Sequence, residues 1–130
     1  MANFYGSGRT NYVKVKDKDK FKELCEKYDF TFIEQDGKVG FYTNNEDGDS
    51  TFWEEDENED MQPTDTLPEF AELMKDNEVL VFQRIGNEKM RYLVGEAIAY
   101  NNKGKSVVVS INDIYAKAKK LGKNISIAEY

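Results

Sequence analysis

A chain of 130 residues, 39% hydrophobic, 33% charged and 13% aromatic, is the size of one folding unit and too aromatic to remain disordered. It carries 25 acidic and 18 basic residues, a net charge of −7, and no histidine, which excludes His-based triads and most zinc sites. Apolar runs such as 79–82 and 107–109 are too short for a membrane span, residues 1–8 lack a signal-peptide pattern, and the single Cys25 cannot form an internal disulfide, so a cytoplasmic protein without a membrane partner is expected.

In chain order, residues 10–16 alternate, with Val13 and Val15 on one side and Tyr12, Lys14 and Lys16 on the other, which predicts a strand. A helix follows, capped by Asp17 or Asp19, with Phe21, Leu24, Cys25 and Tyr28 on one face. Residues 30–35 and 38–43 are β-rich and joined by Asp36-Gly37, a dipeptide suited to the positive φ angles of a tight hairpin. Residues 67–74 predict a short helix with Pro68 in its first turn. Residues 78–85 and 90–100 predict a long hairpin around Gly86-Asn87, and 106–111 a further strand after a turn at Lys103-Gly104. Ser110 and Asp113 form a capping box for a last helix, in which Ile114, Tyr115, Ala118 and Leu121 share a core-facing stripe ending at Gly122. The sum is a single α+β domain over 1–130: an antiparallel sheet of about five to six strands with about three helices packed on it.

Into this frame the sequence inserts an acidic segment, expected to be a solvated loop over about 45–65. Ten carboxylates lie between Glu46 and Asp65 with no Lys or Arg among them, so the rest of the chain holds 15 acidic against 18 basic residues and the molecule is polarised. The segment does not fit an EF-hand. A loop starting at Asn45 puts Ser50 at the glycine position, and one starting at Asp47 puts Phe52 there, so no metal site or cofactor is assigned. Phe52 and Trp53 lie inside the run, and alternation predicts that one packs inward. Carboxylates beside aromatics suit a basic protein partner: the acids steer and pair with Lys and Arg, and Trp53 offers a ring to a guanidinium. The candidate partner-binding residues are Asp49, Trp53, Glu54, Glu55, Asp56, Glu57, Glu59 and Asp60.

Other features carry less. Gly6-Ser7-Gly8-Arg9-Thr10 precedes a predicted strand, the wrong context for a phosphate loop, and is expected to be a flexible lead-in. Cys25 lies on an apolar helical face without a histidine partner, so no nucleophile is assigned and an enzyme is not expected. Lys103, Lys105, Lys117, Lys119, Lys120 and Lys123 make a basic counterpart to the acidic run, but the net charge opposes direct binding to nucleic acid. An alternative surface is the hairpin carrying Arg84, Arg91 and Tyr92, where arginines beside an aromatic could stack on bases and contact phosphates, as in a nucleic-acid- or ligand-associated accessory protein.

Three stretches extend the reading: Arg9-Thr10-Asn11-Tyr12 with Val15-Lys16-Asp17, the central Gly86-Asn87-Glu88-Lys89-Met90-Arg91-Tyr92, and Ser110-Ile111-Asn112-Asp113-Ile114-Tyr115. With them the chain resembles a family of small acidic proteins carried by bacteriophages and integrating or conjugative elements. The resemblance implies a mobile-element setting, in which small acidic proteins are often inhibitors of host DNA-directed defences such as restriction or CRISPR. The expected function is therefore a non-enzymatic protein-binding module with an acidic, nucleic-acid-like face. Its partner would be a basic protein surface, such as that of a nucleic-acid-binding host protein. An immunity-type protein that neutralises a basic toxin has the same acidic-face physics.

Overall fold

Fourteen apolar residues bury themselves in one cluster, and their placement follows from the strands and helices that carry them. A computed structural model describes residues 4–88 and 92–128. The elements run β1 (Tyr5–Thr10), α1 (Lys18–Tyr28), β2 (Phe30–Gln35), β3 (Lys38–Thr43), β4 (Thr51–Glu55), β5 (Met61–Asp65), α2 (Leu67–Glu72), β6 (Leu80–Glu88), β7 (Tyr92–Tyr100), β8 (Ser106–Ser110), a 3-10 turn (Ile111–Asp113) and α3 (Ile114–Ala118). Six strands form one antiparallel sheet in the order β2-β3-β1-β6-β7-β8, while β4 and β5 pair with each other in a separate two-stranded sheet. The α+β class, the sheet and the three helices are as the sequence predicts.

Local signals explain several boundaries. Asp17 caps α1 by accepting from the Lys20 N–H at 3.1 Å, and Asp29 ends the helix in the left-handed conformation. Asp36 (φ 53°) and Gly37 (φ 79°) turn β2 into β3, which bonds in register from Phe30↔Thr43 to Gln35↔Lys38. The Ser110–Asp113 capping box forms as expected.

The core is aromatic. Phe70 of α2 lies 4.9 Å from Phe21 of α1 and 4.6 Å from Phe41 of β3, ring centre to ring centre, and Phe30 stacks on Phe41 at 4.5 Å. Leu80, Phe82 and Tyr100 extend the same helix-facing side of the sheet across β6 and β7. A buried Phe of this kind contributes roughly 3–5 kcal/mol against Ala.

Four expectations need correction. Residues 10–16 are not the first strand; β1 ends at Thr10. Val13 instead exchanges reciprocal backbone hydrogen bonds with Val39 at 2.8 and 2.9 Å, and Val15 bridges to Met74. The lead-in 6–10 is β1 itself, near the centre of the sheet between β3 and β6. Gly86-Asn87 is not a turn: both residues pair within the β6–β7 ladder, which runs to Glu88↔Tyr92, and the connection lies outside the described residues. Finally, α3 is not a core helix: none of its residues is fully buried, Tyr115 and Ala118 are half-buried, Ile114 is 57% exposed, and Leu121, beyond the helix end, is 92% exposed.

Candidate functional site

The acidic segment is a β-hairpin, where an inserted loop is the expectation. Thr51-Phe52-Trp53 has strong β preference, and β4 pairs with β5 from Thr51↔Asp65 to Glu55↔Met61. Asp56 closes the turn. Its Oδ1 accepts the backbone N–H of Asn58 at 2.8 Å and of Asp60 at 3.0 Å, its Oδ2 accepts from Gln62 Nε2 at 2.9 Å, and Glu59 takes a positive φ of 63°. These donors, the Asp60 N–H foremost, hold the Asp56 carboxyl below the usual carboxylate range. The backbone bond from Asp56 N–H to Asp60 C=O sets the hydrogen-bonding phase, and that phase leaves Pro63, opposite Trp53, at a position that needs no donor to β4.

The root of the hairpin is stitched to the sheet by the crossing of residues 46–48 over β1. Gly6 N–H donates to Glu46 C=O at 2.7 Å, and Thr66 Oγ1 donates to Ser50 C=O at 2.7 Å. The glycines of β1 permit this. A Cβ on Gly6 would collide with the Asp47 carbonyl, and one on Gly8 with the Gly48 carbonyl. Gly6-Ser7-Gly8 therefore has a structural use that sequence reasoning missed, and the alternation of glycines was its available signal.

Alternation divides the hairpin into two faces. Phe52 turns inward and packs on Tyr28 at 5.0 Å, while Trp53 turns outward and is 54% exposed. Met61 (56% exposed) and Pro63 share the outer face with Trp53 and form a short apolar strip beside Glu55. Between the hairpin root and the sheet lies a cleft of about 420 Å³ bordered by Asp49, Thr51, Asp65, Ile98, Tyr100 and Val108. Tyr100 donates its hydroxyl to Asp65 Oδ2 at 3.2 Å; burial and then the Asp65 charge push the phenol up.

The eight residues expected to meet a partner thus split by role. Glu54, Glu55, Glu57, Glu59 and Asp60 are exposed, and the ion pairs among the described residues are Lys18–Glu34 and Arg84–Glu96, so none of the five has a counter-charge among the described residues. Trp53 stands beside them. Asp56 is the organising residue of the turn, and Asp49 is half-buried, accepting from the Thr51 N–H at 3.1 Å and donating its own N–H to Asp47 Oδ1 at 3.0 Å.

On the alternative surface, Arg84 is committed inside the molecule: Nε donates to Asp47 C=O at 2.9 Å, Nη1 pairs with Glu96 at 3.2 Å, and the guanidinium lies over the Phe4 ring. It pins the loop that carries the hairpin. Arg91 lies outside the described residues, and Tyr92 begins β7 opposite Glu88. Cys25 is 1% exposed, and burial, with the neighbouring Glu26 charge, pushes its thiol up to about 12. Among the described residues no three His, Cys, Asp or Glu side chains are grouped to hold a metal ion, and no helix is long and apolar enough to cross a membrane.

No protein-family model, curated protein or solved structure matches this chain.

Proposed function

We propose that the acidic hairpin is a docking element for a basic surface on a partner protein, one that normally holds nucleic acid. The observation that carries this reading is a set of five exposed carboxylates, none in an ion pair among the described residues, on a hairpin rooted by Phe52 and the 46–48 crossing. Residues 54–60 include six carboxylates in seven positions. Two paired strands at about 3.3 Å rise each place roughly one residue per 1.7 Å of hairpin axis; with six of the nine residues 54–62 acidic, that is roughly one charge per 2.5 Å, somewhat sparser than the ~1.7 Å of duplex DNA. Such a tip competes for a groove built for phosphates, and a positive groove accelerates its approach. Trp53, Met61 and Pro63 add an apolar anchor beside the charges. The resemblance to mobile-element proteins gives the reading its concrete form: a non-enzymatic inhibitor of host restriction or CRISPR machinery.

The experiment is capture of a partner from host lysate on the immobilised protein, followed by competition with duplex DNA. The proposal expects a basic, nucleic-acid-binding protein that DNA displaces. A captured partner with an acidic surface, or one whose retention ignores both DNA and salt, would count against it.

A further inference from the structure

Apart from the acidic tip of the hairpin, the last edge of the six-stranded sheet is unusual. Strand β8 is the last strand of the six, Ser106-Val107-Val108-Val109-Ser110, and its three valines are 72%, 67% and 57% exposed. Most exposed edges are blunted by charges, proline or a bulge, because their free backbone groups template another strand. Within its five residues, this one has no such device.

We infer that β8 is a self-pairing edge, and that two copies of the chain join there antiparallel to form a continuous twelve-stranded sheet. The first argument is the sequence of the strand, which is a palindrome centred on Val108. An antiparallel pair about a two-fold axis sets residue i against residue j with a constant sum, so Val108 meets Val108, Val107 meets Val109 and Ser106 meets Ser110. Every apolar side chain finds an apolar partner, as an isologous interface requires.

The second argument is hydrogen-bonding phase. Asn101 N–H donates to Lys105 C=O at 3.0 Å, which makes 101–105 a hydrogen-bonded pair; alternation along the β7–β8 register then turns the backbone groups of Val107 and Val109 toward β7. The N–H and C=O of Val108 consequently point out of the edge. They sit on the proposed two-fold axis, where two copies exchange both bonds. Ser106 N–H can likewise reach the Ser110 carbonyl of the second copy, while the outward Ser110 N–H is already held by Asp113 Oδ2 at 2.8 Å. In this phase the 107–109 contacts are the close, non-hydrogen-bonded pairs, so four valines cluster on the outer face.

The third argument is charge. Lys103 and Lys105 lie at the start of β8 and Asp113 at its end, where Glu96, opposite Ser110, already pairs with Arg84. Antiparallel pairing brings each basic end beside an acidic end. Ile111 (50% exposed) falls opposite Lys105 of the second copy and can cover its aliphatic stem.

The test is the mass of the full chain in solution across the micromolar range, with Val108→Lys as the breaking variant. The inference expects wild type at twice the 15.0 kDa chain mass, and the variant, with two like charges on the axis, at the single mass with unchanged circular dichroism. Amide exchange gives a second readout that does not depend on the variant folding: the Val108 amide should slow with rising wild-type concentration. A monomer at every concentration, with a fast Val108 amide, would overturn the inference and leave the edge for a strand of another protein. A dimer that survives Val108→Lys would overturn it in favour of another face.

Discussion

Phe52 sets its ring 5.0 Å from that of Tyr28, and this contact decides which way the acidic hairpin faces. Side chains alternate along β4, so with Phe52 turned to the core, Trp53 and Glu55 must face out. Tyr28 is itself fixed, its hydroxyl donated to Glu69 and its phenol pushed up to about 12 by burial and that bond.

Phe52→Ala should therefore uncouple the hairpin from the domain. Because Phe52 is only half-buried, the cost in urea unfolding should be about 2 kcal/mol, below the 3–5 kcal/mol of a fully buried Phe. Amide exchange at Trp53 and Glu54 should quicken by more than this global loss explains. Equal quickening throughout the domain would deny Phe52 its local role.

Core substitutions separate the two helical stripes that sequence alone makes equivalent. Phe70→Ala should cost roughly 3–5 kcal/mol because four other rings, Phe21, Tyr28, Phe30 and Phe41, lose their contact with it. Leu24→Ala, half-buried against the core, should cost about 1–2 kcal/mol, and Ile114→Ala should change stability by no more than about 0.5 kcal/mol. Chemical denaturation of the three variants checks the order.

Features of the fold that depend on neighbours in sequence were legible. Asp36-Gly37, the Asp17 cap and the Ser110–Asp113 box each act within four residues, so their signals survive without tertiary information. The misreadings share one cause: the deciding partner is distant. Gly6 and Gly8 look like slack until the 46–48 crossing is laid on them, and Ile114 and Leu121 look like core until the fold leaves them exposed. In the acidic run, composition argued for a solvated loop, whereas the β preference of Thr51-Phe52-Trp53 and the turn-forming Asp56 argued for a hairpin. Ten like charges masked that weaker signal. Arg84 read as a free cation because its acceptor, the Asp47 carbonyl, lies 37 residues away.

Asp56 ties the hairpin turn to pH. Its carboxyl is held below the ordinary range in the folded chain, so its stabilising effect is complete above the ordinary carboxylate pKa and is lost as pH falls through the depressed value. The Asn58 and Asp60 amides should keep their folded chemical shifts at neutral pH and move only as the pH falls below the ordinary carboxylate range. Asp56→Asn should remove that late transition while leaving the domain folded. Movement of these amides already within the ordinary carboxylate range would contradict the assignment.

The central claim is that the unpaired carboxylates, not the hairpin's shape alone, carry binding. Replacing Glu54, Glu55, Glu57 and Glu59 with Gln and Asp60 with Asn, while keeping Asp56 to hold the turn, removes five like charges from the exposed tip and should leave stability unchanged or slightly raised. The decisive measurement is the association rate of this variant and of wild type with the captured partner, at low and at high salt. The account predicts that wild type loses roughly tenfold or more in rate as salt rises, and that the variant associates about 10–1000-fold more slowly than wild type at low salt with little salt dependence. Wild-type rates and affinity retained by the neutralised variant at both salt concentrations would contradict it.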